Sequence, residues 1–258
     1  MKPISSATSQ LKSIRLVASD MDGTMTENGK FSEELFGAFS ALREANVKII
    51  LVTGRSAGWV NGLASLLPID GAIAENGGIF FPANIESAGE ELISMPLGRA
   101  HQRHLLRNIF LTLQHEFPNI AEAPDNYFRI TDWTYSVHNL SNEDLARMNT
   151  ICTNLGWDFT YSNVQCHITP RGQNKATGLQ RVLANNQNLN IEPNFVLTIG
   201  DSPNDESLFD PSSFPNSVGV ANIQQYISNL RHTPTFITTQ PERAGFCEMA
   251  EYLIKSKL

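Results

Sequence analysis

Asp20-Met21-Asp22-Gly23-Thr24 sets two carboxylates two residues apart, with glycine next, at the end of the short apolar run Leu16-Val17-Ala18. Two acids so placed cannot both be core residues. They offer hard oxygen ligands to a divalent cation, and the backbone N–H groups of a tight turn through Gly23 and Thr24 can meet phosphate oxygens. An ordinary surface turn favours Asp and Gly for local reasons too, so the segment needs company. Val52-Thr53-Gly54-Arg55 supplies a hydroxyl and a loop glycine after a second apolar run. Lys175 opens a helix after Thr169-Pro170-Arg171-Gly172, from where its ammonium can act as a point charge. Gly200-Asp201-Ser202-Pro203-Asn204-Asp205 adds two carboxylates four residues apart after a third run. Each has a bland reading alone. Four such segments at strand ends of one sheet do not, because open parallel sheets bind ligands at their carboxyl edge.

The elements that must position these residues alternate strand and helix, the pattern of a parallel α/β sheet with crossover helices. Strands are expected at Leu16–Ala18, Val47–Val52, Gly71–Ala74, Phe195–Ile199 and Val218–Val220, with helices over residues 33–45, 57–66, 175–185 and 245–255. Val47–Val52 is apolar throughout, as a strand buried on both faces should be. After Glu75-Asn76-Gly77-Gly78 the character changes. A helix over residues 100–117, strands at Tyr127–Ile130, Thr134–Val137 and Val164–Ile168, and a helix over 142–155 capped by Ser141 point to an inserted α+β unit. The expected organisation is thus a tail (1–13), a Rossmann-like α/β core in two pieces (14–82 and 171–258) and an insert (83–170).

The ordered set Asp-x-Asp-Gly-Thr, Thr-Gly-Arg, lysine and Gly-Asp-x-x-Asn-Asp resembles the haloacid dehalogenase (HAD) superfamily of phosphohydrolases. The insert is similar to a C2-type cap, in its smaller C2B form, shared by Cof-type sugar phosphatases and sucrose-phosphatase-like enzymes. The resemblance implies a Mg2+-dependent phosphatase with Asp20 as nucleophile and Asp22 as acid/base. It assigns phosphate to Gly23, Thr24, Thr53, Gly54 and Lys175, and metal to Asp20, Asp22 (through its carbonyl), Asp201 and Asp205, with Asn204 in support. Arg55, Asn76, Arg129 and Asn204 are candidates for substrate contact; Trp133, Tyr135 and His138 are weaker ones, and His167 is taken as a structural strand residue. Sucrose-phosphatases usually carry Asn where this chain has Gly23, and phosphomannomutase cap motifs are absent around residues 127–139. A phosphomutase and a non-catalytic metabolite-binding protein remain alternatives. The lack of GxGxxG after the first strand sets a dinucleotide enzyme aside.

Composition fits this chemistry. The chain has 258 residues and a formal net charge of -7, which argues against a nucleic-acid or anionic-membrane surface, since either needs a positive field. Three cysteines without CxxC spacing suit reduced thiols rather than a disulfide framework or zinc site. With no apolar run of about 18 residues and no apolar signal segment, the expectation is a cytoplasmic protein. Its expected partner is a small phosphorylated metabolite, handled by a monomer or homodimer.

Overall fold

A computed structural model describes residues 1–83 and 89–258. The strands are β1 (Lys2–Pro3), β2 (Leu16–Ser19), β3 (Lys48–Val52), β4 (Gly71–Ala74), β5 (Ile79–Pro82), β6 (Glu90–Glu91), β7 (Trp133–Ser136), β8 (Trp157–Tyr161), β9 (Gln165–Pro170), β10 (Val196–Gly200), β11 (Asn216–Gly219) and β12 (Phe236–Ile237). The α-helices are α1 (Thr8–Leu11), α2 (Glu33–Glu44), α3 (Ala57–Leu66), α4 (Gly98–Glu116), α5 (Asn142–Asn154), α6 (Lys175–Asn185) and α7 (Glu242–Lys257). Nine strands form one sheet in the order β1-β12-β11-β10-β2-β3-β4-β5-β6, and β7-β9-β8 form a second. Pairing from β1 through β4 in that order is parallel, and β5 and β6 add antiparallel strands at one edge.

Alternation along the central strands divides the core in two. Val17, Ile49 and Leu51 face a layer built with α2, α3 and α7, whereas Leu16, Ala18, Ile50 and Val52 face Leu179, Val182 and Leu183 of α6. This period of two, with both sets apolar, holds β2 and β3 at the sheet's centre. β2 lies between β10 and β3, so the ends of all three strands meet at one place.

The second sheet carries α4 and α5 on one face, around Leu106, Phe110, Leu113, Tyr135, Met148, Cys166 and Ile168. α5 begins with a capping box: Ser141 accepts from the Asp144 N–H and Asp144 accepts from the Ser141 N–H. This unit is a cap set over the carboxyl edge of the core sheet.

Several expectations need correction. Residues 1–13, expected as a poorly ordered tail, are docked: β1 pairs with β12, and Ile4, Ala7 and Leu11 are buried in the core. No strand forms at Tyr127–Ile130. Pro124 instead starts a 3-10 turn over Pro124–Phe128, and the Asn126 side chain bonds both the N–H and the carbonyl of Thr134, curling the chain against β7. β8 was not expected at all. Glu90–Glu91, placed by the sequence in the insert, extends the core sheet beside β5.

Candidate active site

Asp20 follows β2, Thr53 follows β3, Asn76 lies just past β4, and Asp201 follows β10. The Asp20 N–H still donates to the Ile199 carbonyl, so the last rung of the ladder fixes the residue that leaves it. The chain then turns tightly, with Thr24, Met25 and Thr26 all donating to the Met21 carbonyl. Gly23 adopts a φ of +83°, and a Cβ there would overlap Asp201 Oδ2, so only glycine allows the two loops this approach.

Lys175, the first residue of α6, is fully buried between two acids: Nζ donates to Asp20 Oδ1 at 2.5 Å and to Asp205 Oδ1 at 2.6 Å. Asp205 Oδ2 accepts from the N–H groups of Asp201 and Ser202. Both Asp205 oxygens are therefore engaged. Asp205, expected as a metal ligand, orients Lys175 and the Asp201 loop and also stands in the acidic cluster with Asp20 and Asp201. Asp201 Oδ2 accepts from Asn222 Nδ2 at 2.8 Å, and the same amide donates to the Gly23 carbonyl. Asp20 Oδ2 and Asp201 Oδ1 are left buried without a protein partner. One oxygen each of Asp20, Asp201 and Asp205 lie within 4.8 Å of one another. Buried acidic oxygens without a partner fit a divalent cation with oxygen ligands.

The electrostatics agree. Burial pushes the Asp20 carboxyl up to about 7, against the pull of Lys175 and helped by Asp205 and Asp22. Burial, then the neighbouring Asp20 and Asp205, raise Asp201 well above the usual carboxylate range. Burial alone would lower Lys175, but Asp20 and Asp205 hold it above the ordinary lysine value.

Asp22 stands at the rim. Arg55 Nε and Nη2 hold its two oxygens at 2.8 and 2.7 Å, while the guanidinium lies 4.8 Å from the Trp59 ring centre. Thr53 is buried, and its hydroxyl accepts from the Arg55 N–H. Asp20, Asp22, Thr53, Gly54 and Arg55 line a small cavity with Ser202 and Asn204, closed from above by Ser162, Val164, Gln165 and His167 of the cap. Its volume of about 20 Å³ admits roughly one water. Gly23, Thr24 and Lys175 do not line it, and the Thr24 hydroxyl is buried without a partner. A larger cleft of about 750 Å³ opens beside it between α5 and β8 of the cap and α6 of the core, lined in part by Asn76, Asn142, Asn149, Gln173 and Asn204. Asn76 and Asn204 are joined at 3.1 Å.

Arg129, expected to touch substrate, does not reach either space. Nη1 and Nη2 of its buried guanidinium are taken by Asp132, Asp125, Gln165 and the Gly54 carbonyl, while Nε has no hydrogen-bond partner. Trp133 and Tyr135 belong to the cap core, and His138 is exposed. The sequence reading missed Asn222, Asp132 and the anchoring role of Glu75. Asn222, three residues beyond β11 at the same sheet edge, could have been nominated by the strand-end rule that found the others. Glu75 accepts from the N–H groups of Ala57, Ile130 and Thr131 and from the Thr131 hydroxyl, tying core to cap.

A family model described as sucrose-6F-phosphate phosphohydrolase matches residues 13–253. A phosphoglycolate phosphatase of Methanothrix thermoacetophila is 28% identical over 241 residues, covering 93% of this chain and 97% of that protein. In fold, the chain resembles a Thermoplasma acidophilum protein at a TM-score of 0.73 and 20% identity, over 93% of this chain and 98% of that one. It also resembles the sucrose-phosphatase of Synechocystis, solved with sucrose and phosphate, at a TM-score of 0.66 and 17% identity, over 92% and 97% of the two chains. The chain belongs to the sucrose-6F-phosphate phosphohydrolase family.

Proposed function

We propose that this chain is a Mg2+-dependent phosphomonoesterase for small hydroxylated phosphate esters, with sugar phosphates as the preferred class, and that it works through an aspartyl-phosphate on Asp20. The observation that carries this reading is the pair of unpartnered buried oxygens, Asp20 Oδ2 and Asp201 Oδ1, beside a buried lysine at the carboxyl edge. Asp20, Asp201 and the Asp22 carbonyl would hold the ion, which would neutralise phosphoryl charge that a bare carboxylate repels.

The remaining work belongs to the chain. Asp20 attacks phosphorus in line with the departing oxygen, and Lys175 and Thr53 hold the phosphoryl oxygens. Asp22 gives the leaving alkoxide its proton, then removes one from the water that opens the acyl phosphate. Arg55 holds both Asp22 oxygens by one bond each, so the proton that Asp22 transfers sits on a lone pair these bonds leave free. The cavity holds no space for a phosphoryl group, so substrate enters by cap movement and reacts with bulk water excluded. The amide-rich cleft alongside suits a leaving group with several hydroxyls. Names among the relatives, phosphoglycolate phosphatase and sucrose-phosphatase, support the same reaction on small esters.

The test is phosphate release from sugar phosphates, phosphoglycolate and p-nitrophenyl phosphate, with magnesium or EDTA, for the wild type and Asp20→Asn. Release that needs magnesium and falls at least about 10³-fold in the variant is the expected result. Equal release by both proteins would sink the nucleophile assignment.

A further inference from the structure

His167 lies on β9 with its ring turned out of the cap core and against the core loop at Gly54, where a Cβ would come within 3.1 Å of the imidazole. It is 2% exposed and forms part of the roof over Asp20 and Asp22. Its Nδ1 is 2.9 Å from Asp132 Oδ2. Asp132 is fully buried, and both of its oxygens also accept from Arg129 Nη1 at 2.9 Å. Arg129 and the imidazole hold the Asp132 carboxyl below its usual range although burial opposes them. An ionised carboxylate only accepts, so the proton between the two groups resides on Nδ1. Nε2 sits against Gly54, another residue lining the cavity, and no hydrogen bond to it is formed among the described residues.

The imidazole is neutral for reasons visible in its surroundings. Burial lowers its pKa; Asp132 opposes this, but Arg129 already balances that charge, and Arg129 and Lys175 both disfavour a second cation. An oriented acceptor is thus presented by the cap beside Gly54, in the cavity that Asp20 and Asp22 also line.

We propose that His167 is a specificity-determining residue: its Nε2, held in the acceptor tautomer by Asp132, takes a hydrogen bond from a hydroxyl of the leaving alcohol and so favours hydroxylated over carboxylated phosphate esters. This rests on the phosphatase reading above. A carboxylate at the same place would set lone pair against lone pair and leave both unsatisfied, an element of rejection as well as attraction. Asp132 and Arg129 are positioning residues that act through the ring.

The test compares kcat/KM for glycerol 3-phosphate, phosphoglycolate and p-nitrophenyl phosphate in the wild type, His167→Phe, His167→Gln and Asp132→Asn. Ratios between esters do not depend on how much of a variant is folded. In His167→Phe the glycerol 3-phosphate value is expected to fall about tenfold more than either other value, the size of one neutral hydrogen bond. His167→Gln, whose amide oxygen can replace Nε2, should recover most of that loss. In Asp132→Asn the amide can donate to Nδ1 and move the ring proton to Nε2, so the glycerol 3-phosphate to phosphoglycolate ratio should fall. An equal loss on all three esters would put His167 on the phosphoryl group and overturn the proposal, as would unchanged ratios in His167→Phe and Asp132→Asn. A wild type that releases no phosphate from p-nitrophenyl phosphate would instead overturn the phosphatase reading itself.

Discussion

At the scale of single residues, the site is an excess of buried acid held by one lysine. Replacing Lys175 with Met leaves Asp20 and Asp205 buried without their cation. Breaking a buried pair in this way costs about 3–5 kcal/mol, and urea denaturation should show a loss of that order together with loss of phosphatase activity. Gly23→Ala should also lose activity, because the left-handed backbone and the approach to Asp201 leave no space for a methyl group; destabilisation of about 1–3 kcal/mol is expected. The protonation of Asp20 gives a further handle. Its pKa in the folded, metal-free protein is raised to about 7 from the ordinary 3.8, so the folded state binds the proton more tightly than the unfolded chain. That contribution to stability is present below the unfolded value and is lost as pH rises through about 7. Magnesium competes with the same proton. The rise in Tm caused by magnesium should therefore be small at pH 5 and grow towards pH 8; a rise independent of pH would contradict this linkage.

At the scale of elements, the connection between core and cap runs through Glu75. Its carboxylate collects N–H groups from the start of α3 and from residues 130 and 131, while Gln173 Nε2, on the return chain, donates to its backbone carbonyl. Glu75→Ala would strand several buried donors, a cost of about 2–4 kcal/mol, and should raise KM more than it lowers kcat, with faster amide exchange at Ile130 and Thr131. Which elements the sequence disclosed follows from how local their causes are. β2, β3, β4 and β10 are apolar runs ending in acids, hydroxyls or glycine, and the residues singled out after them do meet at one edge. The Pro124–Phe128 turn depends on the Asn126 side chain finding Thr134, which no window of sequence shows. β8 is only half-buried along its length, so its pattern is weak. His167 read as a structural strand residue because its partners, Asp132 and Arg129, are 35 and 38 positions away and meet it only once β7 and β9 pair.

At the scale of the whole molecule, the first residues of the chain complete the sheet. β1 is its outer strand beyond β12, and Leu11 is buried in the layer that α7 covers. Leu11→Ala should cost about 2–4 kcal/mol, whereas Lys12→Ala, at an exposed position one residue on, should change the urea midpoint little. If the two variants unfold alike, this segment is not part of the cooperative unit.

The pairing of β2 with β10 has a consequence for the order in which the protein is made. Asp20 follows β2 directly, yet that strand's partner on one side is Val196–Gly200, and Lys175 and Asp201 are also made long after it. The cap, which closes its own sheet from residues 133–170, can fold while the core is half synthesised. Asp20 is therefore made 155 residues before the lysine that holds it, and the centre comes together only when α6 and β10 insert beside β2.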